Sequence, residues 1–180
     1  MLRFRAGNVT IRLYFGFFAM LSFYYYFYGT DMVSVCAALV CCLLHETGHL
    51  AAMLFFGYAP KEICFYAGGI KLIPKRGIVP RRRQAVILAA GCAVNLALAG
   101  VSLVFGQQRL MYTNIAIALI NLLPLSCLDG GRLLSLFLPE KRRRAIAFFT
   151  VLPVCCLTAA VSPPAAVMLA VFSAAAELLM

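Results

Sequence analysis

A chain of 180 residues that is 64% hydrophobic and 12% charged, with a mean hydropathy of +0.94, lies well outside the roughly 45–50% apolar range of soluble domains. That excludes an ordinary soluble globular fold, and the length suits one domain, 1–180. The net charge of +10 raises nucleic-acid binding, which the distribution of the basic residues argues against.

A helix needs about 20 apolar residues to cross a bilayer. Stretches near that length fall at 13–29, 32–57, 85–105, 111–138 (interrupted), 145–161 and 165–180. The first ends in Tyr24, Tyr25, Tyr26 and Tyr28, as an aromatic belt would. It is longer than a signal-peptide core and no small-residue cleavage site follows, so it is expected to be retained. The fifth and sixth meet at Ser162-Pro163-Pro164, a helix breaker suited to an external turn.

The second stretch carries His45-Glu46-Thr47-Gly48-His49, and the chain has only two histidines. Imidazoles at i and i+4 lie on one helical face, one turn apart, and can bind one zinc ion. Glu46 between them can then take a proton from a zinc-bound water. Ionisable groups in a membrane helix are costly and usually functional.

Between the second and third stretches, Ile63-Cys64-Phe65-Tyr66-Ala67, Gly68-Gly69 and Ile70-Lys71-Leu72-Ile73 read as a short β-hairpin. A protease must hold its substrate extended, because a helical peptide bond is shielded by its own ladder. A strand edge at Gly68, Gly69 and Ile70 would serve by β-augmentation; an ordinary connecting hairpin reads the same way. In the third stretch, Gly91-Cys92-Ala93-Val94-Asn95 places a small residue and an amide one turn apart. Close helix packing by Gly91 and an interhelical hydrogen bond from Asn95 explain that pattern equally well.

The fourth stretch is interrupted. Pro124 lacks an N–H and breaks the helix, and Gly130 and Gly131 loosen the chain after it. Irregular backbone at membrane depth is tolerated only when buried in protein or lining a wet cavity. Asp129 sits at this break. Of the other acidic residues, Asp31 falls in an external turn, Glu62 precedes a loop strand, Glu140 runs into Lys141-Arg142-Arg143-Arg144, and Glu177 lies near the end of the sequence. Asp129 is therefore the best third ligand for a two-His, one-carboxylate zinc site; a helix cap at the membrane surface is the alternative. Cys42, one turn before His45, is a weaker ligand candidate. The eight cysteines form no framework: Cys36, Cys41, Cys42, Cys92, Cys127, Cys155 and Cys156 lie in or beside apolar stretches, no CxxC pair occurs, and buried cysteine usually acts as a small hydrophobe.

Basic residues precede the first stretch (Arg3, Arg5, Arg12), lie between the second and third (Lys61, Lys71, Lys75, Arg76, Arg81, Arg82, Arg83) and between the fourth and fifth (Lys141, Arg142, Arg143, Arg144). The intervening loops carry Arg109 alone. The positive-inside rule then places both termini in the cytoplasm of a multi-pass cell-membrane protein. The basic loops can also touch anionic headgroups, making the lipid bilayer a partner and nucleic acid not one.

His45-Glu46-x-x-His49 followed by Asn121-x-x-Pro124-x-x-x-x-Asp129-Gly130, with Gly91-x-x-x-Asn95 between, resembles the site-2 protease family of intramembrane zinc metalloproteases, peptidase family M50. The resemblance covers about residues 32–138. It implies an all-α polytopic fold with a three-helix catalytic core, extra helices at 13–29, 145–161 and 165–180, and a short membrane-associated β-hairpin. It also implies Zn2+ held by His45, His49 and Asp129, Glu46 as general base, and Asn121 and Asn95 toward the substrate. The expected activity is hydrolysis of a peptide bond of a membrane-associated protein, with membrane-protein regulators as further partners. The layout is most similar to the sporulation branch, whose members process an inactive sigma-factor precursor. That branch typically carries a C-terminal CBS domain; the sequence stays apolar to Met180, so none is expected. A metal-ion transporter and a non-catalytic zinc-binding membrane protein are the alternatives. The first gives no reason for Glu46 to fall inside HExxH, and the second needs no base.

Overall fold

The computed structural model describes residues 2–6, 9–15, 32–66, 69–75, 79–161 and 173. They include four strands, β1 (Leu2–Ala6), β2 (Val9–Leu13), β3 (Pro60–Tyr66) and β4 (Gly69–Pro74), and five helices. These are α1 (Met32–Phe55), α2 (Arg81–Val104), α3 (Gln108–Asn121), α4 (Asp129–Ser135) and α5 (Glu140–Val161). The chain divides into two compact units, Met1–Ala118 and Leu119–Met180.

In the first unit, α1 and α2 are long because nothing breaks them: no proline interrupts either one. Among the described residues, Val33–Phe55 and Arg81–Val104 are the two helices long and apolar enough to cross a membrane. They run antiparallel. Arg83, in the first turn of α2, donates to the Tyr58 hydroxyl at 3.3 Å and stacks over Phe56, just beyond the end of α1. Arg109, after α2, donates to Ser34 at the start of α1 at 3.1 Å. Glycine sets how closely the two helices approach. A β-carbon at Gly48 would stand 2.7 Å from the Ala90 carbonyl oxygen and 2.9 Å from Val94.

The expected hairpin is β3–β4, paired from Pro60↔Pro74 to Tyr66↔Gly69. It belongs to a larger, four-stranded sheet in the order β1-β2-β3-β4, so the all-α expectation is corrected. β1 and β2 pair antiparallel, Leu2↔Leu13 to Ala6↔Val9, and β2 joins β3 in parallel, Thr10↔Glu62 to Leu13↔Phe65. The physical cause is a period-2 alternation, Leu2-Arg3-Phe4-Arg5-Ala6 and Val9-Thr10-Ile11-Arg12-Leu13, which suits a two-faced strand rather than a basic leader. The register puts Leu2, Leu13 and Phe65 with Phe4, Ile11 and Ile63 on one face, and Arg3, Arg5, Arg12 and Glu62 on the other. Arg12 and Glu62 close an ion pair of 2.9 Å across the parallel strands. Tyr14 first, and Glu62 more weakly, raise the pKa of the Arg12 guanidinium above its ordinary value.

The interrupted stretch consists of α3, which ends just past the unit boundary, and then, in the second unit, a non-helical segment 122–128 and the two-turn α4. α5 packs Ala147 and Val151 against Leu125 and Leu128 of that segment. The expected span 145–161 lies within α5, whose first five residues are Glu140-Lys141-Arg142-Arg143-Arg144. The expected spans 13–29 and 165–180, and Gly68, fall almost wholly or wholly outside the described residues.

Candidate active site

On α1 the residues Cys41, His45, His49 and Met53 recur every four positions and are all buried. The two imidazoles sit on consecutive turns with ring centroids 4.7 Å apart, edge to face, and Nε2 atoms 3.0 Å apart. Nδ1 of His49 is 2.7 Å from the backbone carbonyl of Ile87 on α2. A carbonyl only accepts, so Nδ1 carries the proton and Nε2 presents a lone pair. An imidazole oriented by a backbone carbonyl in this way is set up as a metal ligand.

The space around the Nε2 atoms is provided by Gly91. A β-carbon there would lie 2.5 Å from His49 Nε2 and 2.6 Å from His45 Nε2. The helix-packing reading of the Gly91-x-x-x-Asn95 pattern therefore has a specific content: the surface that α2 leaves open faces the imidazole tips. Glu46 follows His45 on α1, about 100° round the helix, and is half-buried. It stands off the histidine face, as a base beside the ligands should. Cys42 is exposed, while Cys41 is the cysteine on the buried face. That disfavours Cys42 as a ligand.

One turn beyond Gly91, Asn95 is 0% exposed, and neither of its amide atoms has a hydrogen-bond partner among the described residues. On α3, Asn114 donates to the Leu110 carbonyl at 2.9 Å, while its own oxygen is unpartnered. α2 and α3 meet nearby, where the Cys92 thiol points at the Ala118 carbonyl at 3.8 Å. Unpaired buried amides are expensive in a helical core, so these two asparagines mark a place where the fold has given up stability. Asn114 has no motif to flag it in the sequence.

Asp129 lies in the second unit. Asn121 closes α3, half-buried, and Pro124 is buried within the break. Leu128 is the N-cap of α4, in extended conformation, and Asp129 is the first helical residue. Asp129 thus lies inside the helix rather than at its N-cap position. It is buried, in the first turn of α4. Arg132 approaches Oδ1 at 3.5 Å from one turn on. Gly130 and Gly131 let α4 lie directly on the backbone of the break. A β-carbon at Gly130 would run into the Leu122 carbonyl, and one at Gly131 into the Leu125 carbonyl.

Residues 107–157 match the model of peptidase family M50, which takes in α3, the break, Asp129 and most of α5. Stage IV sporulation protein FB of Bacillus subtilis (strain 168) is 29% identical over 120 residues, 61% of this chain. Over residues 107–157 the chain is similar to peptidase family M50. It spans only 42% of the length of that sporulation relative. The fold of the site-2 protease from Methanocaldococcus jannaschii matches 98% of this chain and 91% of that one, with a TM-score of 0.66 at 19% identity. The family-M50 match does not include His45 and His49, so the histidine pair and the matched segment are separate observations pointing the same way. The donor chemistry of each unit suits a metal: two imidazoles with adjacent Nε2 atoms in the first, and a buried carboxylate in the second.

Proposed function

We propose that this chain is an intramembrane zinc metalloendopeptidase that hydrolyses a peptide bond of a membrane-associated protein. The observation that carries the reading is the histidine pair: His49 is fixed through Nδ1 by Ile87, and both Nε2 atoms face the open surface at Gly91. His45, His49 and Asp129 hold the ion in this proposal, a two-nitrogen, one-oxygen set that leaves a position open. Bound zinc supplies Lewis acidity, polarising the scissile carbonyl and acidifying water.

The chain's own groups do the rest. Glu46 accepts the proton of the attacking water on its carboxylate and returns it to the leaving amine nitrogen. Asn121 and Asn95 offer amide donors and acceptors to a substrate backbone that has lost its helical partners. Among the described residues β4 is an edge strand of the sheet, which supports pairing with an extended substrate along Gly69 and Ile70, and Gly68 joins them in this proposal. The cell membrane is the site of action, both termini lie in the cytoplasm by the positive-inside rule, and membrane-protein regulators act on the enzyme. The likeness to a stage IV sporulation protein supports a role in sporulation, and in this proposal the substrate is an inactive sigma-factor precursor.

The test pairs Glu46→Gln with wild type in detergent or nanodiscs, against a panel of membrane-associated precursors. The variant keeps about one zinc per chain by this ligand count and loses on the order of 10²–10⁴ in cleavage rate. Residual activity above a tenth of wild type excludes Glu46 as the base. Wild-type zinc content in a His45→Ala, His49→Ala double variant excludes the metal assignment.

A further inference from the structure

The run Lys141-Arg142-Arg143-Arg144 reads in sequence as four equivalent cytoplasmic charges. The structure separates one of them. Lys141, Arg142 and Arg144 are exposed, and Arg144 pairs with Glu140 one turn back. Arg143 is 5% exposed. It starts the stripe Arg143, Ala147, Val151, Cys155, spaced by four residues, and its later members pack on the break through Leu125 and Leu128. A guanidinium at the head of an apolar stripe is costly to bury unless its donors are used. One of them is: Nη1 donates to the backbone carbonyl of Pro124 at 3.4 Å.

That carbonyl matters because of what lies on the same segment. The backbone of 122–125 is the surface on which Gly130 and Gly131 rest, with no side chain between. Asp129 directly precedes these glycines. A shift of the 122–125 backbone is therefore passed to α4 and to Asp129 with no compliant side chain to absorb it. We propose that Arg143 is a positioning residue for Asp129, acting by tying down the Pro124 carbonyl. The metal part of this inference rests on the zinc reading above; the mechanical part does not. Arginine suits the role because its planar fork can hold a carbonyl and keep donors for other acceptors, which a lysine ammonium does with less orientation.

The experiment compares Arg143→Gln, Arg143→Lys and the exposed control Arg142→Gln in the full chain. The first readout is amide hydrogen exchange of the metal-free protein. Arg143→Gln speeds exchange at least severalfold across 122–131 and leaves α1 and α2 unchanged; Arg143→Lys is intermediate, and Arg142→Gln matches wild type. The second readout is zinc affinity, expected to weaken about 10–100-fold in Arg143→Gln, the range for loss of a group supporting a ligand. Exchange across 122–131 at the wild-type rate overturns the proposal. So does acceleration spread evenly over all helices, which marks a general structural role. Wild-type protein that takes up no zinc overturns the metal reading instead, and the exchange result still decides the role of Arg143. If Arg143→Gln does not fold, the Arg143→Lys exchange profile makes the same decision.

Discussion

The two parts of the proposed ligand set are held by opposite means. His45 and His49 ride on an uninterrupted helix, and their separation follows from its pitch. What remains to be fixed is ring orientation and clearance, supplied by a carbonyl and a missing side chain on the neighbouring helix. Asp129 begins a two-turn helix after seven non-helical residues, 122–128. Its position depends on glycine contacts and a tethered carbonyl rather than on helical periodicity. Ligands on regular structure need protection from crowding; a ligand at a break needs its backbone immobilised.

The most severe way to break the first arrangement is to crowd it. Gly91→Ala places a methyl group where the Nε2 atoms stand, and zinc affinity should fall by about 100-fold or more, at the upper end of supporting-group effects. Calorimetric zinc titration checks it. Gly100→Ala in the same helix is the control, because a β-carbon there meets nothing within 4 Å. Equal affinities in the two variants would mean that the histidines do not need the space.

The corresponding insult to the second arrangement is Gly131→Ala. Here the obstruction is backbone, not the end of a side chain. Overpacking of this kind costs typically 1–3 kcal/mol, so the expected outcome is a lower Tm together with weaker zinc binding. Gly91→Ala, by contrast, should lose zinc with little change in the Tm of the metal-free protein. Should Gly91→Ala lower that Tm as much as Gly131→Ala does, the distinction between clearance and immobilisation collapses.

How much of this is legible in the sequence follows the same division. The histidine pair is visible because ligand spacing and helix period coincide, and the break because Pro124, Gly130 and Gly131 announce it. Ile87 is invisible because it acts through a backbone carbonyl. Arg143 is hidden in a run of identical charges and revealed only by its four-residue spacing from Ala147 and Val151. The strand of residues 9–13 is open to a period-2 reading, but its parallel partner 52 residues on is not.

A subtler effect is expected at Asn95, which belongs to neither ligand group. Replacing it with Leu removes two unpartnered amide atoms, each burial costing about 1–3 kcal/mol when unpaired. The Tm of Asn95→Leu should hold or rise while cleavage falls about tenfold, an intermediate loss for one polar contact. Thermal unfolding beside a cleavage assay separates the cases. A drop in Tm with unchanged turnover would make Asn95 a structural residue after all.

The parallel pairing of β2 with β3 has a temporal meaning. Antiparallel neighbours can join as soon as the turn between them exists, but parallel strands require a crossover. The crossover here runs from residue 14 to residue 59 and contains all of α1. The N-terminal hairpin can pair its own two strands early in synthesis, yet its berth is absent until residues 60–66 have left the ribosome. Closing so long a connection carries an entropic cost that grows only slowly with length, so the delay is kinetic rather than energetic. These two strands wait for a docking edge that is created only after the histidine-bearing helix has been synthesised.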